Sequence, residues 1–190
     1  GGALGFMRNV FDCAHVVQQQ ERVGVAQADS LGGPRAETSF ALAELHLEYH
    51  LKTHRPELLQ RAVGAARQGL HLDPDQKAYF YLLGNLYARS NKADSAEAAY
   101  RQALELDPGY EKAHYNMGQA YMRLQRFDEA LTSLEAARAL APEEVEVNYF
   151  LGLLYARAGD FSKAAEVLAV VVDGKPDFID ARQKLAVAYL

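Results

Sequence analysis

Apolar residues recur at spacings of three and four along most of the chain, which is the signature of helices with one buried face. Between residues 3 and 29 the stripe is Phe6 or Met7, Val10, Phe11, Ala14 and Val17, weakening past Gln18-Gln19-Gln20-Glu21-Arg22. Asp29-Ser30-Leu31-Gly32-Gly33-Pro34 interrupts it with residues that stop helices, so a turn or linker is expected there. A second stripe follows from Arg35: Phe40, Leu42 or Ala43, Leu45, Leu47 and Leu51. Pro56 is placed to open the next helix, because a proline in the first turn loses no internal hydrogen bond. Leu58, Leu59, Ala62, Val63, Ala66 and Leu70 give that helix its apolar face, and Leu72-Asp73-Pro74-Asp75 closes it. The same alternation predicts helices over 76–90, 93–106, 110–124, 127–140, 144–158, 161–173 and 177–189.

These segments are copies of one unit. Stepping by 34 residues, Pro74, Pro108, Pro142 and Pro176 coincide, as do Ala62, Ala96, Ala130 and Ala164. Tyr87, Tyr121, Tyr155 and Tyr189 form a third series, and Gly84, Gly118 and Gly152 a fourth. The small residues are expected where two helices of a hairpin come closest, with Tyr100, Leu134 and Leu168 filling the space beside them. His50 stands where the later units have glycine, so the first hairpin is expected to be wider or differently tilted. Asp94, Asp128 and Ser162 are the expected caps of the second helices. Gly159 is expected in a left-handed conformation at a helix end, with Asn91 in the same role and Gln125 a poorer choice.

The period and its residue order resemble the tetratricopeptide repeat, a helix–turn–helix unit of this length. The resemblance spans residues 77–178, extends less closely over 43–76, and reaches half a unit at 179–190. It implies an all-α fold, a right-handed superhelical array of antiparallel helix pairs with an extra N-terminal helix. The expected divisions are residues 1–34 as helix and Gly/Pro turn, 35–76 as a divergent first repeat, 77–110, 111–144 and 145–178 as repeats, and 179–190 as the first helix of an incomplete or capping unit. Leu185, Ala186, Ala188 and Tyr189 are patterned for a partner helix, and the start at Gly1-Gly2 without methionine reads as an excised or processed piece. The N-terminal stripe is expected to cap the first unit, with blockage of the groove or contact to a neighbouring chain as alternatives.

The resemblance also implies a concave groove lined by the first helices, which receives a partner peptide. Carried onto this chain, the groove contains Tyr81, Asn85 and Arg89, then Tyr115, Asn116, Gln119 and Arg123, then Tyr149 and Arg157. A tyrosine ladder (Tyr81, Tyr115, Tyr149) and an arginine ladder (Arg55, Arg89, Arg123, Arg157) follow, suited to a partner bearing acidic groups because guanidinium forks hold carboxylates. One class in the family clamps a C-terminal carboxylate with lysines, asparagines and an arginine. Asn85 and Asn116 match it, but Tyr81, Glu146 and Phe150 replace the cations, so that clamp is not expected.

Composition narrows the chemistry further. A formal net charge of −5 provides no basic footprint for nucleic acid. Cys13 is the single cysteine, which excludes an internal disulfide and a cysteine-based zinc site. No apolar run approaches the ~18 residues of a membrane span, and the N-terminus lacks the basic and apolar regions of a secretory signal. Cytoplasm and periplasm stay equally open. His46, His50 and His54 lie four apart on one helix face, the spacing at which imidazoles can share a metal, although packing within the first repeat explains them more simply. Without a phosphate loop or nucleophile motif, no catalytic residue and no cofactor is expected. The reading is a non-enzymatic interaction scaffold. Its alternatives are an assembly protein of cell-envelope, secretion or pilus type that self-associates through its array ends, or the regulatory repeats of a larger protein.

Overall fold

The computed structural model describes residues 35–189, with Gln19 alone ahead of them. Among the described residues there are nine helices and no strand: α1 (Ala36–Thr53), α2 (Pro56–Leu72), α3 (Lys77–Arg89), α4 (Ala93–Leu106), α5 (Glu111–Arg123), α6 (Phe127–Leu140), α7 (Val145–Ala158), α8 (Phe161–Gly174) and α9 (Ile179–Ala188). The expected N-terminal helix lies outside the described residues. Pro56 opens α2 as its first residue. The helices form hairpins, α1 with α2, α3 with α4, α5 with α6 and α7 with α8, while α9 packs on α8. The chain divides into two compact units, one ending at Leu106 and the other running from Asp107 to Leu190.

The small residues are seats for large ones. A Cβ built on Gly118 would lie 2.7 Å from Leu134 Cγ, and one on Gly152 would lie 2.6 Å from Leu168 Cγ, well inside van der Waals contact. The third glycine of the series, Gly84, seats the Tyr100 ring, which takes the space a Cβ would need. Ala130 and Ala164, fully buried, complete the close approach in the second unit.

The first hairpin solves the same problem with its sizes exchanged. Ala66, fully buried, occupies the repeat position of Tyr100, Leu134 and Leu168. The opposing position, where those residues have glycine, carries His50, whose Nδ1 lies 2.8 Å from the carbonyl oxygen of Arg55. The aromatic filler arrives instead from α3: Tyr79 is buried, its ring fills the space beside Gly69, and its hydroxyl donates to the Ala36 carbonyl. Phe40 meets the Tyr79 ring edge-on at 5.1 Å.

The turns of the last three hairpins share one design. Asn91, Gln125 and Gly159 all have positive φ, at 57°, 59° and 80°. The next amide in each case reaches back to a tyrosine carbonyl: Lys92 to Tyr87 at 2.9 Å, Arg126 to Tyr121 at 3.0 Å and Asp160 to Tyr155 at 2.9 Å. This closes the helix end while the left-handed residue reverses the chain. Gln125 therefore holds a conformation that costs a side-chain-bearing residue about 1 kcal/mol or more.

The expected caps require correction. Asp94, Asp128 and Ser162 lie inside the first turns of α4, α6 and α8 rather than before them. Their place favours the positive end of the helix dipole for the two aspartates, but the residue that caps α8 is Asp160, accepting from the Lys163 amide at 3.1 Å. Arg126 precedes α6 without a side-chain cap.

Candidate functional site

The candidate groove residues fall in the two units and are described within each. In the first unit, α3 carries Tyr81, Asn85 and Arg89 at steps of four, which places them along one helix face. Arg89 is exposed at the end of α3. Asn85 is half-buried and its Oδ1 accepts the Tyr100 hydroxyl at 2.7 Å, while the Tyr81 and Tyr100 rings sit 6.2 Å apart. Asn85 thus anchors the packing tyrosine of α4 as well as facing outward.

Arg55 departs from the arginine ladder. Helix α1 runs on to Thr53, so Arg55 falls in the following turn as the residue before α2, where its Nε donates to Glu57 at 2.8 Å. The expected histidine constellation also separates. His46 is buried, His50 faces the Arg55 carbonyl, and His54 is exposed in the turn with φ 55°. No group of three metal-ligating side chains comes together among the described residues.

The second unit assembles more of the site. Gln119 donates to the Tyr115 hydroxyl at 2.6 Å, one turn along α5. The Tyr115 ring lies 6.1 Å from Phe150, Phe150 lies 5.5 Å from Tyr149, and Tyr149 lies 4.9 Å from Phe178. All four rings are half-buried. The result is a continuous aromatic strip from α5 across α7 to the residue before α9. Phe150 and Phe178 were not among the expected site residues. Each is adjacent in sequence or in space to Tyr149, and neither belongs to a repeat series, which is the only signal the period provides. Asn116 is half-buried on α5, and Arg123 is exposed at the end of that helix. Arg157 lays its guanidinium over the Phe127 ring at 3.8 Å, so its plane is already stacked.

Carboxylates shape the electrostatics of this strip. Tyr149 donates to Asp180 Oδ2 at 2.5 Å, and burial followed by that bond pushes its hydroxyl up to about 12. Burial and then the charge of Glu146 raise Tyr115 as well, while the Gln119 bond works the other way. Lys175 donates to Glu146 at 2.8 Å and holds that carboxyl below its ordinary range. The neighbouring Glu144 moves up, first through its hydrogen bond with Glu146 and then through burial and the negative charges of Glu146 and Glu111. One carboxylate of the pair keeps the lysine, and the other remains the easier to protonate.

Each polar side chain at one repeat position serves the loop ahead of it. Asn148, fully buried, donates to the Pro142 carbonyl at 2.7 Å and the Glu144 carbonyl at 2.9 Å. His114, 34 residues earlier, places Nε2 at 3.0 Å from the Pro108 carbonyl. Pro108 and Pro142 therefore follow a helix end and also present a carbonyl that the next first helix ties down.

Comparison with known proteins agrees with this architecture. A tetratricopeptide repeat profile matches residues 115–177, and a TPR repeat profile matches residues 84–125. The chain belongs to the tetratricopeptide-repeat family. Among solved structures it is similar to MamA, at 28% identity over 73% of this chain and 81% of that one, with a TM-score of 0.66. MamA from Desulfovibrio magneticus RS-1 is similar at 24% identity, 77% and 82% coverage and a TM-score of 0.65. YrrB, described as a TPR protein with an unusual peptide-binding site, shares the fold at 23% identity, 81% and 76% coverage and a TM-score of 0.69. No curated protein matches the chain by sequence. The architecture is thus an all-α TPR array, a fold of protein–protein interaction scaffolds. No described helix is long and apolar enough to cross a membrane.

Proposed function

We propose that the chain is a non-enzymatic scaffold that binds a partner polypeptide along its first helices, on the faces carrying Tyr81, Asn85 and Arg89 in α3, Tyr115, Asn116, Gln119 and Arg123 in α5, and Tyr149 and Arg157 in α7. The aromatic strip Tyr115–Phe150–Tyr149–Phe178 carries the reading. The core is built mostly of alanine, leucine and valine, and its tyrosines (Tyr79, Tyr100, Tyr121 and Tyr155) are buried, yet these four rings line up half-buried, where a partner can still cover them. Rings and a rigid backbone hold their shape before binding, so little ordering entropy opposes a partner.

The polarity of the strip refines the partner. Exposed Arg89 and Arg123 suit acidic side chains. At the Tyr149 end, Asp180 already accepts from Tyr149 and Glu146 already holds Lys175, so that end offers a partner ring surface.

Affinity capture with the intact chain, followed by the Arg89→Ala and Arg123→Ala double variant, tests the site. Both residues are exposed, so helical content should stay constant while partner binding weakens roughly tenfold or more, as expected for two charge-assisted contacts. Unchanged affinity would move the site away from these helices.

A further inference from the structure

The aromatic strip of the second unit carries two hydroxyls, and they are disposed differently. Tyr149 donates its proton to Asp180 Oδ2 at 2.5 Å, so that hydroxyl is engaged within the unit. Tyr115 instead accepts from the Gln119 amide at 2.6 Å. A phenol that accepts still has its own proton to give. Among the described residues no hydrogen bond uses that proton.

The surrounding charges narrow what can receive it. Burial and the negative charges of Glu146, Glu144 and Glu111 all act on the Tyr115 hydroxyl. A carboxylate brought there would meet three others, and a cation has no lone pair to accept a proton. The neighbouring cations are already placed, Lys175 on Glu146 at 2.8 Å and Arg157 over the Phe127 ring. A neutral carbonyl is the acceptor that fits.

We propose that the strip takes a proline-rich segment in the extended polyproline II conformation, one of whose backbone carbonyls accepts the Tyr115 proton. This rests on the groove proposed above and names the class of its partner. In an α-helix the carbonyls are bonded within the helix, apart from those of the last turn. A polyproline II chain has no internal hydrogen bonds, so every carbonyl looks outward for a donor. Proline also suits the rings. Its side chain loses no rotamer freedom on burial, and its φ is fixed before binding. Neighbouring ring centroids from Tyr115 through Phe150 and Tyr149 to Phe178 lie 4.9 to 6.1 Å apart. That is about the advance of two polyproline residues, so a segment laid along the strip meets a ring at roughly every second residue.

Fluorescence anisotropy of fluorescein-labelled decaproline, titrated with the 190-residue chain, tests this. Decaproline should saturate, and a glycine–serine peptide of equal length should bind about tenfold more weakly or less. Tyr115→Phe keeps the ring and loses the donor, so affinity should fall about fivefold, the loss of one hydrogen bond. Tyr149→Phe should cost less, because its proton is already on Asp180, which also has Lys184 at 3.5 Å. Phe150→Leu should weaken binding through lost ring surface, with circular dichroism unchanged in all three variants.

Decaproline that does not bind overturns the proposal. So does equal affinity for the glycine–serine peptide, or equal losses from the two tyrosine variants. The groove itself fails by a different result, unimpaired partner capture by the Arg89→Ala and Arg123→Ala double variant. If that variant loses its partner while decaproline does not bind, the groove stands and its partner is of another class.

Discussion

Helices α7 and α9 carry the same positions of the same repeat, and one is covered where the other is not. In α7 the tyrosine of the series is buried and its hydroxyl donates to Glu135 at 2.7 Å. In α9 the equivalent Tyr189 projects from the surface. Sequence identity at a repeat position therefore does not fix what a residue contributes. The contribution comes from the helix laid against it, which is why arrays depend on neighbours and not on a central core.

Truncating the tyrosines breaks the comparison most sharply. Tyr155→Ala removes a buried ring and should lower unfolding free energy by about 3 kcal/mol or more. Tyr189→Ala should stay within about 0.5 kcal/mol under monomeric conditions. Urea melts of the two variants check this, and equal losses would show that α9 is covered after all. The seats come next. Gly152→Ala puts a methyl 2.6 Å from Leu168 Cγ and should cost about 1–3 kcal/mol. Adding Leu168→Ala makes room for it, and a double-mutant cycle should return a favourable coupling of about 1 kcal/mol. Additive losses would mean that helix spacing, and not size matching, sets the cost.

The turns sharpen the comparison between repeats. Gln125→Gly relieves a left-handed glutamine at an exposed position and should raise stability by about 1 kcal/mol, whereas Gly159→Gln should lower it by a similar amount.

The smallest effect is electrostatic. Tyr149 has a raised folded value, so its contribution is complete below the ordinary tyrosine range near 10 and is lost as pH climbs toward about 12. Asp180→Asn should reduce that alkaline loss, followed by thermal melts across the window. Because burial is the larger cause of the shift, some of the alkaline loss should remain in the variant.

Much of the fold was legible in the chain because a repeated unit states its packing several times over. Gly118 and Gly152, with Leu134 and Leu168, could be paired from spacing alone. The first hairpin was not legible in the same way. His50 signalled a departure, but its resolution lies in Ala66, Gly69 and Tyr79, and Tyr79 comes from the following helix. A period compares a residue with its own copies and is silent about an exchange with a neighbour. The caps were misplaced for a related reason. Asp94, Asp128 and Ser162 look like caps by type, while helices that start at 93, 127 and 161 put the cap position at residues such as Arg126 and Asp160.

The site was legible only as the resemblance implied it. Arg55 left its ladder because α1 ends at Thr53, earlier in the repeat than α3 ends at Arg89, and where a helix stops is invisible to a 34-residue step. Phe150 and Phe178 joined the aromatic strip through contacts that no series marks. Asn85 is engaged within its own hairpin, since its Oδ1 accepts the Tyr100 hydroxyl.

The pairing of an empty seat with a bulky filler has a bearing on how such a chain can be lengthened. Each seat and its filler lie in one hairpin, so copying a stretch such as 111–144 duplicates both together and the new segment arrives already matched. A break between α7 and α8 would instead join a glycine to an unrelated helix, or an alanine to a leucine. Duplication in whole hairpins is then the route by which the array can grow without repacking.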